Sequence, residues 1–180
     1  MSTDITIRPI VRDDIPQVLA FIRELARYER LEHEVLATEQ DLRDTLFGEP
    51  RHAEVIFACL GPNPVGFALF FHNFSTFKGR PGIYLEDLYV RPEMRGRGIG
   101  RKLLAWLART ALERRCARLE WAVLDWNAPA IAFYESLGAR ALEQWRTFRL
   151  TGPELEQLGA HEPATRDGPA APRRSTSSER

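Results

Sequence analysis

Hydrophobic positions along this chain repeat with two periods, and the switches between them predict the elements. Ile5-Thr6-Ile7-Arg8 alternates and stops at Pro9, a first strand. Val11 to Asp14 is a polar turn in which Asp13 or Asp14 can cap a helix whose first turn tolerates Pro16. Ile15, Val18, Leu19, Ile22, Leu25 and Ala26 then share one face at helical spacing. Thr38 opens a second helix to about Leu46, with Asp41 in the capping-box position. Ala53 to Leu60 and Val65 to His72 read as the second and third strands across a Gly61-Pro62-Asn63-Pro64 turn, and the apolar density after Val65 predicts burial on both faces.

Asn73 to Gly82 reads as a loop, and Ile83 to Val90 as a fourth strand with two acids, Glu86 and Asp87, at its centre. Acids are depleted in strands, so the pair needs a reason. Pro92 ends the strand, Arg95-Gly96-Arg97-Gly98-Ile99-Gly100 follows, and Arg101 to Arg114 repeats apolar residues at helical spacing. Leu119 to Leu124 is a fifth strand broken by Asp125-Trp126-Asn127, and Ala128 to Leu137 is a short helix ending at Gly138. Arg140 to Trp145 and Thr147 to Leu150 read as two last strands. From about His161 the chain turns to Pro, Ala, Arg, Ser and Thr, the composition of a disordered tail, so residues 1–158 are expected to form one domain and 159–180 a tail.

Composition adds exclusions. The 180 residues carry 25 Lys and Arg against 25 Asp and Glu, a formal charge of zero, which argues against a nucleic-acid or anionic-membrane partner. No apolar run approaches the roughly 20 residues of a membrane span. Cys59 and Cys116 sit in apolar runs without metal-ligand spacing or a signal peptide before them, so two reduced core thiols in a cytoplasmic protein are expected and no metal site.

The local basic strip from Arg91 to Lys102 suits the phosphates of a small ligand. Glycines at alternate positions before a helix let backbone approach closely, and the free amides of the first helical turn bind phosphate. Spacing excludes two phosphate motifs: the third glycine comes one residue early for a dinucleotide fingerprint, and Gly100 lacks the Lys-Ser or Lys-Thr of a P-loop.

Arg95-x-x-Gly98-x-Gly100 after a strand ending Leu88-Tyr89-Val90 resembles the acetyl-CoA motif of the GNAT family of N-acetyltransferases. Tyr84 to Val90, Ala122 to Asn127, Ala132-Phe133-Tyr134 and Leu137-Gly138-Ala139, with Glu24-Leu25-Ala26 and Tyr28-Glu29 near the start, are similar to its diamine acetyltransferase branch, which acts on thialysine and on spermidine and spermine. The resemblance spans about residues 4 to 150. It implies an α/β (α+β) single-domain GNAT fold, a twisted, mixed and mostly antiparallel sheet of six to seven strands with about four helices, and acetyl-CoA in a splay between strands four and five. It implies that amides of Arg95, Gly96, Arg97, Gly98, Ile99, Gly100 and Arg101 hold the CoA pyrophosphate. Backbone groups of Leu88, Tyr89 and Val90 would pair with the pantetheine arm, and Asn127 would bind the cofactor or fix that arm. A homodimer is expected on the same ground.

The chemistry supplies its own reason for the acids. Freeing an amine of pKa near 10.4 at neutral pH costs about 4 kcal/mol, and a carboxylate can relay the proton directly or through water. The resemblance assigns Glu86 as this base and Tyr134 as the acid that meets the CoA thiolate; Asp87 is left as a substrate-side or structural acid. Glu86 could instead pair with a buried arginine, and a tyrosine on a helix is commonly core. Tyr28, Glu29 and Glu32 belong to an acidic run that is either a solvated face or a rim for a cationic substrate. Ser75 and Phe77 stand where the polyamine enzyme carries an aspartate and a tryptophan, which disfavours long polyamines and fits a thialysine-like amino acid or short diamine. A protein or peptide acetyltransferase and a non-catalytic acyl-CoA-binding module remain as alternatives.

Overall fold

A computed structural model describes residues 4–161. Strands β1 (Ile5–Pro9), β2 (Glu54–Leu60), β3 (Asn63–Ser75), β4 (Arg80–Val90) and β5 (Leu119–Trp121) form one sheet in chain order. The first three pairings are antiparallel and β4–β5 is parallel, the mixed sheet expected. The helices are α1 (Ile15–Glu29), α2 (Glu39–Phe47), α3 (Ile99–Glu113), α4 (Ala128–Ser136) and α5 (Gly152–Ala160). The chain divides into two compact units between Ala130 and Ile131, inside α4.

In the first unit α1 and α2 cover one face of the sheet. Pro16 sits in the first turn of α1, where its missing amide hydrogen is not needed, and Arg30 ends the helix in the left-handed region at φ 64°. Thr38 caps α2 by accepting from the Asp41 amide while Asp41 accepts from the Thr38 amide, the capping box expected. The apolar face of α1 buries Ile15, Val18, Leu19, Phe21, Leu25 and Ala26. Phe21 stacks on Phe67 of β3, ring centres 5.4 Å apart, and meets Phe57 of β2 edge-on at 5.5 Å. Replacing it with alanine would cost about 3–5 kcal/mol. Across the sheet α3 buries Ile99, Leu103, Leu104 and Leu107, and its Trp106 lies 6.0 Å from Phe70.

Several expectations need correction. The loop expected from Asn73 to Gly82 is a hairpin: β3 runs to Ser75, β4 starts at Arg80, and the turn closes with Lys78 donating to Ser75 O and Gly79 at φ 60°. The β5 ladder ends at Trp121 instead of Leu124. Five strands replace the six to seven expected, because residues 140–150 form no ladder among the described residues. A strand needs a partner for its backbone, and residues 141–150 are exposed throughout. Cys59 is buried but Cys116 only half-buried, and both are free. Helix α5 extends to Ala160, and the expected tail beyond His161 lies outside the described residues. No helix among the described residues is long and apolar enough to cross a membrane.

Candidate functional site

The two acids of β4 sit at an irregularity. Leu69 pairs with Asp87 and Phe70 with Leu85, so Glu86 is an extra residue, a β-bulge. Its effect shows in the backbone directions. Before the bulge, the Ile83 amide donates to Arg118 O at 3.0 Å, toward β5; after it, the Arg91 amide donates to Val65 O at 3.0 Å, toward β3. Alternation between these two points would place every odd residue on the same side. The extra residue reverses the phase, so Leu88 and Val90 turn their amides and carbonyls to the β5 side.

That side is open. The β4–β5 ladder stops at Leu85 and Trp121, while β4 continues to Val90 on β3 alone. Edge groups without a neighbouring strand are the template for an added extended chain, and a pantetheine arm with two amides is such a chain. The bulge and the short β5 are the backbone features from which the splay expected between strands four and five would arise.

The acids differ in surroundings. Glu86 is exposed, whereas Asp87 is partly buried, and burial pushes its carboxyl up to about 7, with the negative charges of Glu86 and Glu29 adding to the shift. Glu29, half-buried at the end of α1, is raised by burial as well. Glu86 and Glu29 thus lie close enough for their charges to act on Asp87. Glu32 does not join them: it is exposed and paired with Arg27 at 2.6 Å, which lowers its pKa. The end of β4 is tied to α1 by Arg91, which pairs with Glu24 at 3.3 Å and lies 5.1 Å from the Phe21 ring centre.

After β4 the chain turns through Gly96 and Gly98, each at φ 75°, a conformation that costs a side-chain-bearing residue about 1–2 kcal/mol. Gly98 caps α3 without a side-chain hydrogen bond, and the first internal bond of the helix is Lys102 N to Gly98 O. The amides of Ile99, Gly100 and Arg101 are thus left to point outward at the positive end of the helix. A Cβ built at Gly96 or Gly98 meets nothing within 4 Å, so what these glycines leave clear is space in front of the turn. Arg97 and Arg101 are exposed beside it. This geometry fits a pyrophosphate.

Tyr28, the last aromatic of α1, donates through its hydroxyl to Asn127 Oδ1 at 3.1 Å. Asn127 is 7% exposed and also accepts from the Ala130 amide at 3.4 Å, which caps α4. Arg95 lies over the rings of Tyr28 and Tyr89, at 4.6 and 5.8 Å from their centres. The sequence places Tyr28 with the substrate and Arg95 and Asn127 with the cofactor; the structure joins all three. Only a ring and a guanidinium far apart in sequence carry that link, and no local pattern signals it.

Other expected residues lie elsewhere. Ser75 is buried and paired with Arg80, six residues before Glu86, roughly 20 Å away along the strand. Phe77 is 89% exposed at the hairpin tip. Tyr134 belongs to the second unit, half-buried on α4 with its ring 5.4 Å from Phe133. Among the described residues no group of His, Cys, Asp and Glu could hold a metal ion.

Known proteins bear on this geometry. Residues 18–139 match the model of the acetyltransferase (GNAT) family. Over 165 residues the chain is 41% identical to thialysine N-epsilon-acetyltransferase of Bos taurus, covering 86% of this chain and 96% of that one. It is 32% identical to L-ornithine N5-acetyltransferase of Arabidopsis thaliana, covering 84% and 86%. An integron cassette protein from the mobile metagenome of V. cholerae superposes with a TM-score of 0.74 at 30% identity, over 88% of this chain and 99% of that one. A turn of outward amides, an open strand edge and a matching family model agree: this chain belongs to the GNAT family and is an N-acetyltransferase.

Proposed function

We propose that the chain transfers the acetyl group of acetyl-CoA to the primary amine of a small molecule, a thialysine- or ornithine-like amino acid or a short diamine, by direct attack in a ternary complex. The observation that carries this reading is the grouping of Glu29, Glu86 and Asp87 at the open half of β4, where three carboxyls favour a compact cation. The relatives named for thialysine and ornithine act on molecules of that size. A substrate held at Asp87 does not need the hairpin end, so Ser75 and Phe77 stand outside this reading.

Each residue has a role. The amides from Gly96 to Arg101 hold the pyrophosphate, and Leu88 and Val90 receive the pantetheine amides as an added strand. Asp87 and Glu29 attract the ammonium group, and its charge draws Asp87 back to the ionised form. Glu86, exposed at the bulge, takes the amine proton through a water molecule. The freed nitrogen attacks the thioester carbonyl, the C–S bond breaks, and Tyr134 stabilises or protonates the leaving thiolate. A phenol near pKa 10 and a thiol near 8.5 make full transfer uphill by about 2 kcal/mol, so hydrogen bonding suffices.

A cytoplasmic location and a homodimer belong to the same proposal. Two free thiols suit a reducing compartment. Trp145 at 72% and Phe148 at 91% exposed, with Leu142, Leu155 and Leu158, present apolar area that a second copy would cover.

Thiol release from acetyl-CoA against lysine, thialysine, ornithine, short diamines, spermidine and a lysine peptide tests the reading. Selective turnover of a small amino acid or diamine is expected. Turnover of the peptide alone would replace it with a protein acetyltransferase, and tight acetyl-CoA binding with no turnover would leave a binding module.

A further inference from the structure

Past the end of α1, the face of the sheet that carries Asp87 continues with charge at both ends. The extra residue of the bulge is on β4, so β3 alternates without interruption and Leu69, Phe71 and Asn73 share one face, on which Leu69 packs against the α1 core. Their partners on β4 are Asp87, Tyr84 and Gly82. Phe71 and Tyr84 lie between the two ends, both half-buried, with ring centres 5.3 Å apart. Glu120 stands opposite Tyr84 on β5.

The far end is a polar cluster over Gly82. Arg118, one residue before β5, sends its side chain across that glycine. A Cβ there would lie 3.0 Å from Arg118 Cγ and would collide with Asn73 Oδ1, so the absent side chain is what makes the room. Arg118 Nη2 donates to Phe74 O at 3.3 Å, and its Nε lies 2.8 Å from Glu120 Oε2 without being aligned for a hydrogen bond. Asn73 Nδ2 donates to the same Glu120 oxygen at 2.8 Å. Arg118 Nη1 and Glu120 Oε1 have no partner among the described residues, and the two side chains are 36% and 27% exposed. A cationic donor and an anionic acceptor thus stand side by side, each with one atom to offer.

Such a pair complements the head of an amino acid, whose carboxylate suits a guanidinium and whose α-ammonium suits a carboxylate. The spacing agrees. From Leu69 to Asn73 the sheet advances four residues, so Asp87 and Gly82 are about 13 Å apart at ~3.3 Å per residue. An amino acid of lysine length reaches about 8 Å from side-chain nitrogen to carboxylate at bonds of about 1.5 Å, and a hydrogen bond of about 3 Å at each end extends that to about 14 Å. Its methylenes would lie on the Phe71 and Tyr84 rings. A diamine of the same length lacks the carboxylate and brings a second cation to Arg118.

We infer that Arg118 and Glu120 form a head-group subsite that reads the α-carboxylate and α-ammonium of an amino acid whose terminal amine lies at Asp87 and Glu86, so that amino acids are selected over diamines. The inference rests on the acetyl-transfer reading and narrows it: preferred turnover of a diamine satisfies that reading and contradicts the subsite.

The test uses the full chain and compounds that differ from lysine by one group: lysine amide and the diamine left by decarboxylation, which lack the carboxylate, and Nα-acetyllysine, which lacks the α-ammonium. KM and kcat are read by thiol release. The wild-type KM for lysine should lie about tenfold or more below that for lysine amide or the diamine, the size of one charge-assisted hydrogen bond. Arg118→Gln should raise the KM for lysine to that level and leave the KM for lysine amide and both kcat values unchanged. Glu120→Gln should raise the KM for lysine and not that for Nα-acetyllysine. The double variant Arg118→Gln/Glu120→Gln, which leaves no unpaired charge behind, should remove every preference. Arg80→Gln, two residues further along the same face, should keep them all. Equal KM values for lysine and lysine amide in the wild type would overturn the subsite, as would an equal rise for both in Arg118→Gln; lost stability moves both compounds together and cannot mimic the split. If no amine is turned over, the acetyl-transfer reading fails, while calorimetry of lysine against lysine amide with coenzyme A present still decides whether Arg118 meets a carboxylate, and no preference there overturns the subsite.

Discussion

From Ile83 to Leu85, β4 has β3 on one side and β5 on the other; from Glu86 to Val90 it keeps β3 alone. The first half is a structural strand: Ile83 and Leu85 are buried at 0% and 2% exposure. The second half holds the bulge, both acids and the open edge, and it leads into the glycine turn. One inserted residue separates the two behaviours. By reversing the phase of the backbone it turns Leu88 and Val90 outward, and it sets an exposed carboxyl beside a partly buried one.

If the contrast is right, damage beyond the bulge should stop chemistry while leaving the fold in place. The largest effect is expected from Gly98→Val. A β-branched residue at φ 75° is strained and its side chain enters the space in front of the turn, so acetyl-CoA affinity should fall about 100-fold or more, by calorimetry. Circular dichroism should stay unchanged, because the added Cβ meets no protein atom within 4 Å.

Glu86→Gln should lower kcat about 100-fold, most strongly at low pH where the amine is hardest to deprotonate, with cofactor binding nearly intact. A loss independent of pH would remove Glu86 as the base. Tyr134→Phe should lower kcat about tenfold with the KM for acetyl-CoA unchanged. An unaltered kcat would take Tyr134 out of the mechanism.

The smallest effect concerns Asp87 and distinguishes it from its neighbour. Its carboxyl is raised to about 7, mainly by burial, so between its ordinary value and 7 the folded chain holds a proton that the unfolded chain releases. Stability from this group is complete below the ordinary value and lost as pH rises through 7. Asp87→Asn should therefore raise the melting temperature by a few degrees at pH 8, about 2–4 °C per kcal/mol, and by less at pH 4. The wild-type KM for the amine should fall as pH rises through 7 and that dependence should vanish in Asp87→Asn, measured by thiol release.

What was legible in the sequence follows physical lines. The capping box of α2, the apolar face of α1 and the glycine turn are local, and local patterns carry them; Asp14 stands at the start of α1 as expected but makes no side-chain cap there, because its carboxylate accepts from Arg8 and from the Val11 amide. The pair of acids at the centre of β4 was legible, but the bulge at Glu86 was not, because one extra residue leaves no mark in a run of apolar and aromatic residues. Arg140 to Leu150 alternates like strands yet forms no ladder, since pairing depends on a partner and not on propensity. The Arg95–Tyr28–Asn127 chain joins Tyr28 to residues 67 and 99 positions away in the sequence, and such links are set by the fold alone.

The most direct test of the account is amide hydrogen exchange by NMR along β4, with and without saturating acetyl-CoA. The Leu88 and Val90 amides should slow by at least about tenfold on binding as they gain partners, while Ile83 and Leu85, already laddered to β5, should not change. Unchanged exchange at Leu88 and Val90, with protection appearing elsewhere, would contradict the claim that the open half of β4 receives the cofactor.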